Sequence, residues 1–139
     1  MLLRPAFAVC LFLSQFANDR STWFTDNTIM IILGVMLVFA GVLLSVWATL
    51  WLRRTASSEG LTASGPFKYV RHPVYTSINI LCLGLGLMFF AWLWFVVMII
   101  FVPLWYLEGR EEEKQMAEVH GQKYAGYKAR TGMFLPKIW

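Results

Sequence analysis

The side chains best equipped for chemistry stand in one short link, Gly65-Pro66-Phe67-Lys68-Tyr69-Val70-Arg71-His72-Pro73-Val74-Tyr75. His72 precedes a proline, which drives it out of the α region. Pro73 in turn suits the first position of a helix. The free N–H groups of that first turn point back at the link, and with Arg71 beside them they make a site for an anion. Tyr75, Thr76 and Asn79 continue along roughly one helix face. Taken singly, Arg71, Tyr69 and Tyr75 read as anchors at a membrane surface and Asn79 as a helix–helix hydrogen bond. An anchor needs neither the histidine nor the proline, so Arg-His-Pro-x-Tyr as a unit points to function.

A second cluster is acidic: Glu108, Glu111, Glu112 and Glu113. A charge run is usually a solvated face, and Glu111 reads that way; Glu112 and Glu113 stay open. If the tail is helical, Glu113, Met116, Ala117, His120, Tyr124 and Tyr127 share one stripe, with Gly121 and Gly126 as possible breaks. A carboxylate, an imidazole and two phenols could then meet the link. His72 and His120 are too few for a metal, and neither Cys10 nor Cys82 has a second ligand at metal spacing, so no metal is expected. Both cysteines read as buried free thiols. No Walker sequence, dinucleotide fingerprint, Cys-x-x-Cys or His-Glu-x-x-His occurs.

The elements that hold these clusters are set by composition. Apolar residues make up 58% of the 139 and charged residues 14%, against about 25% charged in soluble domains. Only a bilayer removes so much apolar surface from water. The chain therefore reads as a single all-α integral membrane domain, 1–139, with the lipid bilayer as its first partner. The net charge of +4 forms no basic stripe, and no nucleic-acid partner is expected.

Four membrane passes are expected. Leu2–Ala17 forms a first, short helix that spans or lies at the interface, and Asn18–Asn27 a polar loop. Thr28–Leu52 is a full span, with Gly34, Gly41, Ser45 and Ala48 as a small-residue packing stripe. Val74–Leu107 carries no charge and as one helix would reach roughly 51 Å, past a hydrocarbon core of about 30 Å. Two short helices turning near Phe89–Trp94 fit better. Arg53, Arg54, Lys68 and Arg71 against Glu59 give the link +3, while Asp19 and Asp26 against Arg20 give the first loop −1. The positive-inside rule then places the link, both termini and the polar helical tail after Leu107 on the cytoplasmic face.

The link resembles the signature of the isoprenylcysteine carboxyl methyltransferases and related membrane phospholipid methyltransferases. Glu112-Glu113 with Met116, Gly121, Tyr124, Tyr127, Arg130 and Pro136 is similar to that family's C-terminal pattern. Phe67 stands where tyrosine is common, and His120 where an aromatic or apolar residue is usual. The resemblance implies an S-adenosylmethionine-dependent methyltransferase whose cofactor sits between a helical hairpin and the tail, without a Rossmann domain. Carried over by position, Arg71, His72, Pro73 and Tyr75 belong to the cofactor site, with Glu112 and Glu113 joining from the tail; Arg71, Glu112 and Glu113 are the expected catalytic residues, and Tyr69, Tyr124 and Tyr127 are expected to bind the cofactor as well.

The implied acceptor is a lipophile, first a prenylcysteine-type carboxylate, with a phospholipid amine or a small lipophile or thiol as alternatives. Methyl transfer needs alignment more than acid catalysis, and no general base is assigned. Two other readings rank lower. Sterol-reductase-like nicotinamide enzymes carry a related His-Pro-x-Tyr segment but have much longer chains. A non-catalytic membrane subunit would have no need of both blocks.

Overall fold

A computed structural model describes residues 9–10, 13, 28–55, 60–89 and 92–137. Within them run α1 (Thr28–Thr55), a 3-10 turn (Gly65–Lys68), α2 (Pro73–Met88), α3 (Trp92–His120) and α4 (Gln122–Arg130). The only β contact among the described residues is one parallel bridge between Val70 and Gly132. The expected first helix and first loop lie largely outside the described residues, as do Ser57, Ser58 and Glu59 of the link. Cys10, which is described, packs against the core cluster.

Among the described residues, two helices are long and apolar enough to cross a membrane, Thr28–Thr55 and the stretch Leu93–His120 of α3. Helix α2 is apolar but has 16 residues, roughly 24 Å of rise, and falls short of a full crossing by that measure. The expected four-pass count therefore has two candidate crossings behind it. On α1 the outward apolar side chains are bare, Ile29 at 69% and Phe39 at 64% exposure, which suits contact with lipid. The inward face is the small-residue stripe. A Cβ on Gly41 would lie 2.8 Å from the backbone nitrogen of Leu81, and one on Gly34 would lie 2.7 Å from the carbonyl oxygen of Gly84. Backbone thus meets backbone along the α1–α2 seam, where membrane helices gain dispersion energy.

The turn between α2 and α3 begins at Phe89, as the hydropathy required. Past that turn the structure departs from expectation. The second arm is not short, and the polar tail is not a separate helix from Leu107 onward. Helix α3 runs unbroken for 29 residues, out of the apolar zone and through the glutamates. The residues beyond Leu107 are mostly Glu, Lys, Gln, Met and Ala, strong helix formers, and Gly109 alone does not stop them. Termination comes at Gly121, whose φ of 51° belongs to the left-handed region. Gly126 stays inside α4.

The link folds back onto the end of α1. Gly65, at φ 60°, presses so closely on Trp51 that a Cβ would lie 2.5 Å from its ring. Trp51 Nε1 donates to Ser64 Oγ at 3.2 Å, and Thr62 Oγ1 to Thr55 Oγ1 at 3.1 Å. Below this, Tyr75, Cys82, Phe101 and Trp105 form the buried cluster that joins α2 to α3, with Phe134 packed against it. Cys10 and Cys82 are free thiols; Cys82 is buried as expected, whereas Cys10 is only half-buried.

Candidate active site

Three pieces of chain meet where α2 begins. His72 sits at φ −122° and ψ 63°, out of the α region as a residue before proline must be, and caps α2 without a side-chain hydrogen bond. The segment after α4 is laid alongside the link. Arg71 N donates to Gly132 O at 2.9 Å, His72 N to Met133 O at 3.0 Å, and Thr76 Oγ1 to Phe134 O at 2.8 Å. Tyr127 Oη closes the other side by donating to Phe67 O at 2.6 Å.

Helix α3 brings the glutamates to the same place. Arg71 Nε lies 2.6 Å from Glu113 Oε1, and Lys128 Nζ 2.8 Å from Glu113 Oε2. Arg71 Nη1 also donates to the carbonyls of Lys128 and Thr131. Glu113 is buried and Arg71 nearly so, and the hydrogen bonds around them offset their desolvation. Next to them, Tyr75 Oη donates to Glu112 Oε1 at 2.9 Å, and His72 Nδ1 faces Glu112 Oε2 at 3.4 Å. His72 Nε2 is buried without a hydrogen-bond partner, 3.6 Å from Glu113 Oε1. Gly109 makes room for Met133 beside that ring: a Cβ there would lie 2.6 Å from Met133 Cε, and 3.5 Å from His72 Nε2, an ordinary contact.

These groups line a cavity of about 480 Å³. Arg71, His72, Pro73 and Tyr75 line it from the link and α2, Glu112 and Glu113 from α3, and Tyr124 and Tyr127 from α4. Eight of the nine residues named from the sequence therefore meet around one space. Tyr69 stands apart: it follows the 3-10 turn, is 56% exposed, and does not line the cavity. Burial pushes the Tyr124 hydroxyl up to about 12, with the Glu113 charge adding to it, and burial likewise pushes Tyr127 up to about 12. Both phenols stay protonated at neutral pH.

Much of the remaining wall comes from residues that carry no local signal of a site. Thr49 and Leu52 at the end of α1, with Leu61 and Thr62 after it, line the cavity together with Phe67. Met116 and His120 extend the α3 wall, one and two turns beyond Glu112, whereas Ala117 does not reach it. Nothing in the local sequence marks Thr49 or Leu52, because the fold-back of the link onto Trp51 is what brings them in. Lys128 is equally unmarked. Glu111 is solvated as expected, paired only with Lys114 at 2.5 Å among its described contacts.

The model of the phospholipid methyltransferase family matches residues 29–123, more than half of the chain. The chain belongs to the phospholipid methyltransferase family. The matched region runs from α1 through α3 into the start of α4, and so takes in both blocks of the site except the tyrosines of α4. Comparison with curated proteins and with solved structures gives no match. Membership makes this phospholipid-methyltransferase-family protein a membrane methyltransferase, and a methyltransferase requires a methyl donor. The sterol-reductase reading loses its footing here.

Proposed function

We propose that the protein transfers a methyl group from S-adenosylmethionine to the amine head group of a lipid, with its site at the cytoplasmic face. The donor supplies an electrophilic methyl on a sulfonium, and its size suits a cavity of about 480 Å³, within the usual range of about 300–1,000 Å³. The uncapped first turn of α2 offers N–H groups to the donor carboxylate, and the orphaned His72 Nε2 needs a polar partner there. Tyr75 and Tyr124 supply aromatic faces for a sulfonium.

One observation carries the choice of an amine. Arg71 is the only Lys or Arg among the described cavity residues, and its Nε and Nη1 are bound to Glu113 and to two carbonyls. Two carboxylates line the same space. A carboxylate acceptor would enter against them, with Arg71, already engaged by Glu113, as the only Lys or Arg to meet it among the described cavity residues, whereas an ammonium is drawn in. This favours the phospholipid amine over the prenylcysteine carboxylate that the resemblance first implied. Leu52 is 46% exposed at the end of α1 while it also lines the cavity, which gives acyl chains a way in from lipid.

The test is transfer of labelled methyl by the full-length protein in vesicles that contain both phosphatidylethanolamine and a prenylated cysteine. Label in the lipid amine, stable to alkali, is expected. Label released by alkali as a methyl ester would reverse the assignment.

A further inference from the structure

Helix α1 carries two hydroxyls between its terminal threonines, Ser45 and Thr49, and of these Thr49 lines the cavity. The α1–α2 seam fixes its level. Gly41 meets the backbone of Leu81, and Gly34 meets Gly84 and Met88, so the two helices run antiparallel. Thr49 lies eight residues after Gly41 and Pro73 eight residues before Leu81, which sets Thr49 level with the first turn of α2. From that turn Pro73 and Tyr75 reach the cavity. Arg53 in the last turn of α1 marks the water side, and Thr49 stands roughly 6 Å from it toward the lipid.

A helical hydroxyl away from water is commonly returned to its own backbone. Thr55, Thr76, Ser77 and Thr131 each donate to a carbonyl three or four residues earlier. Thr62, the other threonine on the cavity wall, donates to Thr55. Thr49 is half-buried, and among the described residues its hydroxyl has no hydrogen-bond partner. Leu52, nearly one turn further along α1, forms the lipid-side wall. A hydroxyl left open to the cavity beside that wall is placed to meet the acceptor.

We propose that Thr49 is a specificity-determining residue for the acceptor: its Oγ1 accepts a hydrogen bond from the head-group N–H and so reads how many methyl groups the nitrogen already carries. This rests on the amine reading above. The lipid ammonium first gives a proton to water at the cavity mouth. The freed nitrogen pair then bonds the methyl carbon, and the carbon–sulfur pair stays on the donor sulfur. Before transfer, a neutral primary amine has two N–H bonds, its monomethyl form one and its dimethyl form none. An N–H held by Thr49 turns the lone pair toward the donor, and alignment is what this displacement needs. Thr49 therefore orients the first two acceptors and not the third. The dimethyl nitrogen has only its lone pair to offer, and a proton from Thr49 there competes with the methyl.

The experiment uses the full chain in phosphatidylcholine vesicles that hold one acceptor at a time: phosphatidylethanolamine, its N-methyl form or its N,N-dimethyl form. Wild type, Thr49→Val, Thr49→Ser and Thr49→Ala are compared by labelled methyl transfer, with S-adenosylhomocysteine binding followed by calorimetry. Thr49→Val keeps the shape of the side chain and loses the hydroxyl. It should bind S-adenosylhomocysteine as wild type does and lose about tenfold in kcat/KM on the first two acceptors, the scale of one hydrogen bond. On the dimethyl form it should be no slower than wild type. Thr49→Ser should restore the first two transfers, and Thr49→Ala should repeat the valine pattern, which keeps the test usable if Thr49→Val does not fold. An equal loss on all three acceptors, or no loss on any, would overturn the role of Thr49 and leave the amine reading in place. Wild type that binds S-adenosylhomocysteine but methylates only a prenylated cysteine carboxylate would overturn the amine reading, and the role of Thr49 with it.

Discussion

Arg71 Nε and Glu113 Oε1 stand 2.6 Å apart although 42 residues separate them in the chain. One belongs to the link that opens α2 and the other to the water-side continuation of α3. Their contact joins the two polar blocks of an otherwise apolar chain into one rim. Lys128 completes the junction from α4, so a single carboxylate holds three segments together. The cavity exists because this junction exists.

Glu113→Gln should therefore damage the fold before it damages catalysis. It strands a buried guanidinium, and breaking a buried pair from one side costs about 3–5 kcal/mol. Lys128→Met should cost less than about 1 kcal/mol, since the lysine is 53% exposed and its attraction is screened by water. Thermal unfolding of the detergent-solubilised variants separates the two. Equal losses would mean that the junction is not built around Arg71.

The α1–α2 seam and helix α4 give predictions of opposite sign at two glycines. Gly41→Leu should prevent α1 from closing on α2, because even its first carbon meets the Leu81 backbone. Gly126→Ala, inside α4 with open space around the new methyl, should stabilise by about 0.4–1 kcal/mol through lost chain entropy in the unfolded state. Midpoints of thermal unfolding test both, and a tolerated Gly41→Leu would refute the backbone contact.

The end of α1 should control the acceptor and not the donor. Leu52→Trp fills a wall of the cavity on its lipid side. It should raise the KM for the lipid acceptor by about tenfold or more, the scale of a misfit in an apolar pocket. S-adenosylhomocysteine binding should be unchanged. If calorimetry instead shows weakened binding with an unaltered acceptor KM, the two ends of the cavity have been assigned the wrong way round.

How far the sequence can be read depends on the kind of signal. Arg71, His72, Pro73, Tyr75, Glu112 and Glu113 are legible because polar groups are scarce in an apolar chain and these are bunched. The α2–α3 turn at Phe89 follows from length alone, since an uncharged run as long as Val74–Leu107 outruns a bilayer. The continuity of α3 past Leu107 escapes hydropathy, which marks where lipid contact ends and not where the helix ends. The strong helix formers after Glu108 are the cue that bears on it. Thr49, Leu52 and Lys128 are beyond local reading: each enters the site through a long-range contact, the first two by the Trp51–Gly65 fold-back and the last by Glu113. Tyr69 is drawn in by its neighbours, yet its side chain leaves the link on the exposed face.

The claim on which the rest depends is that this rim encloses a methyl donor, and calorimetry tests it directly. Titration of S-adenosylhomocysteine into the folded, purified protein should give a saturable heat at one site per chain, and His72→Ala should abolish or sharply weaken it while the protein stays folded. Folded wild type that gives no heat, or a His72→Ala variant that binds as wild type does, would contradict the account.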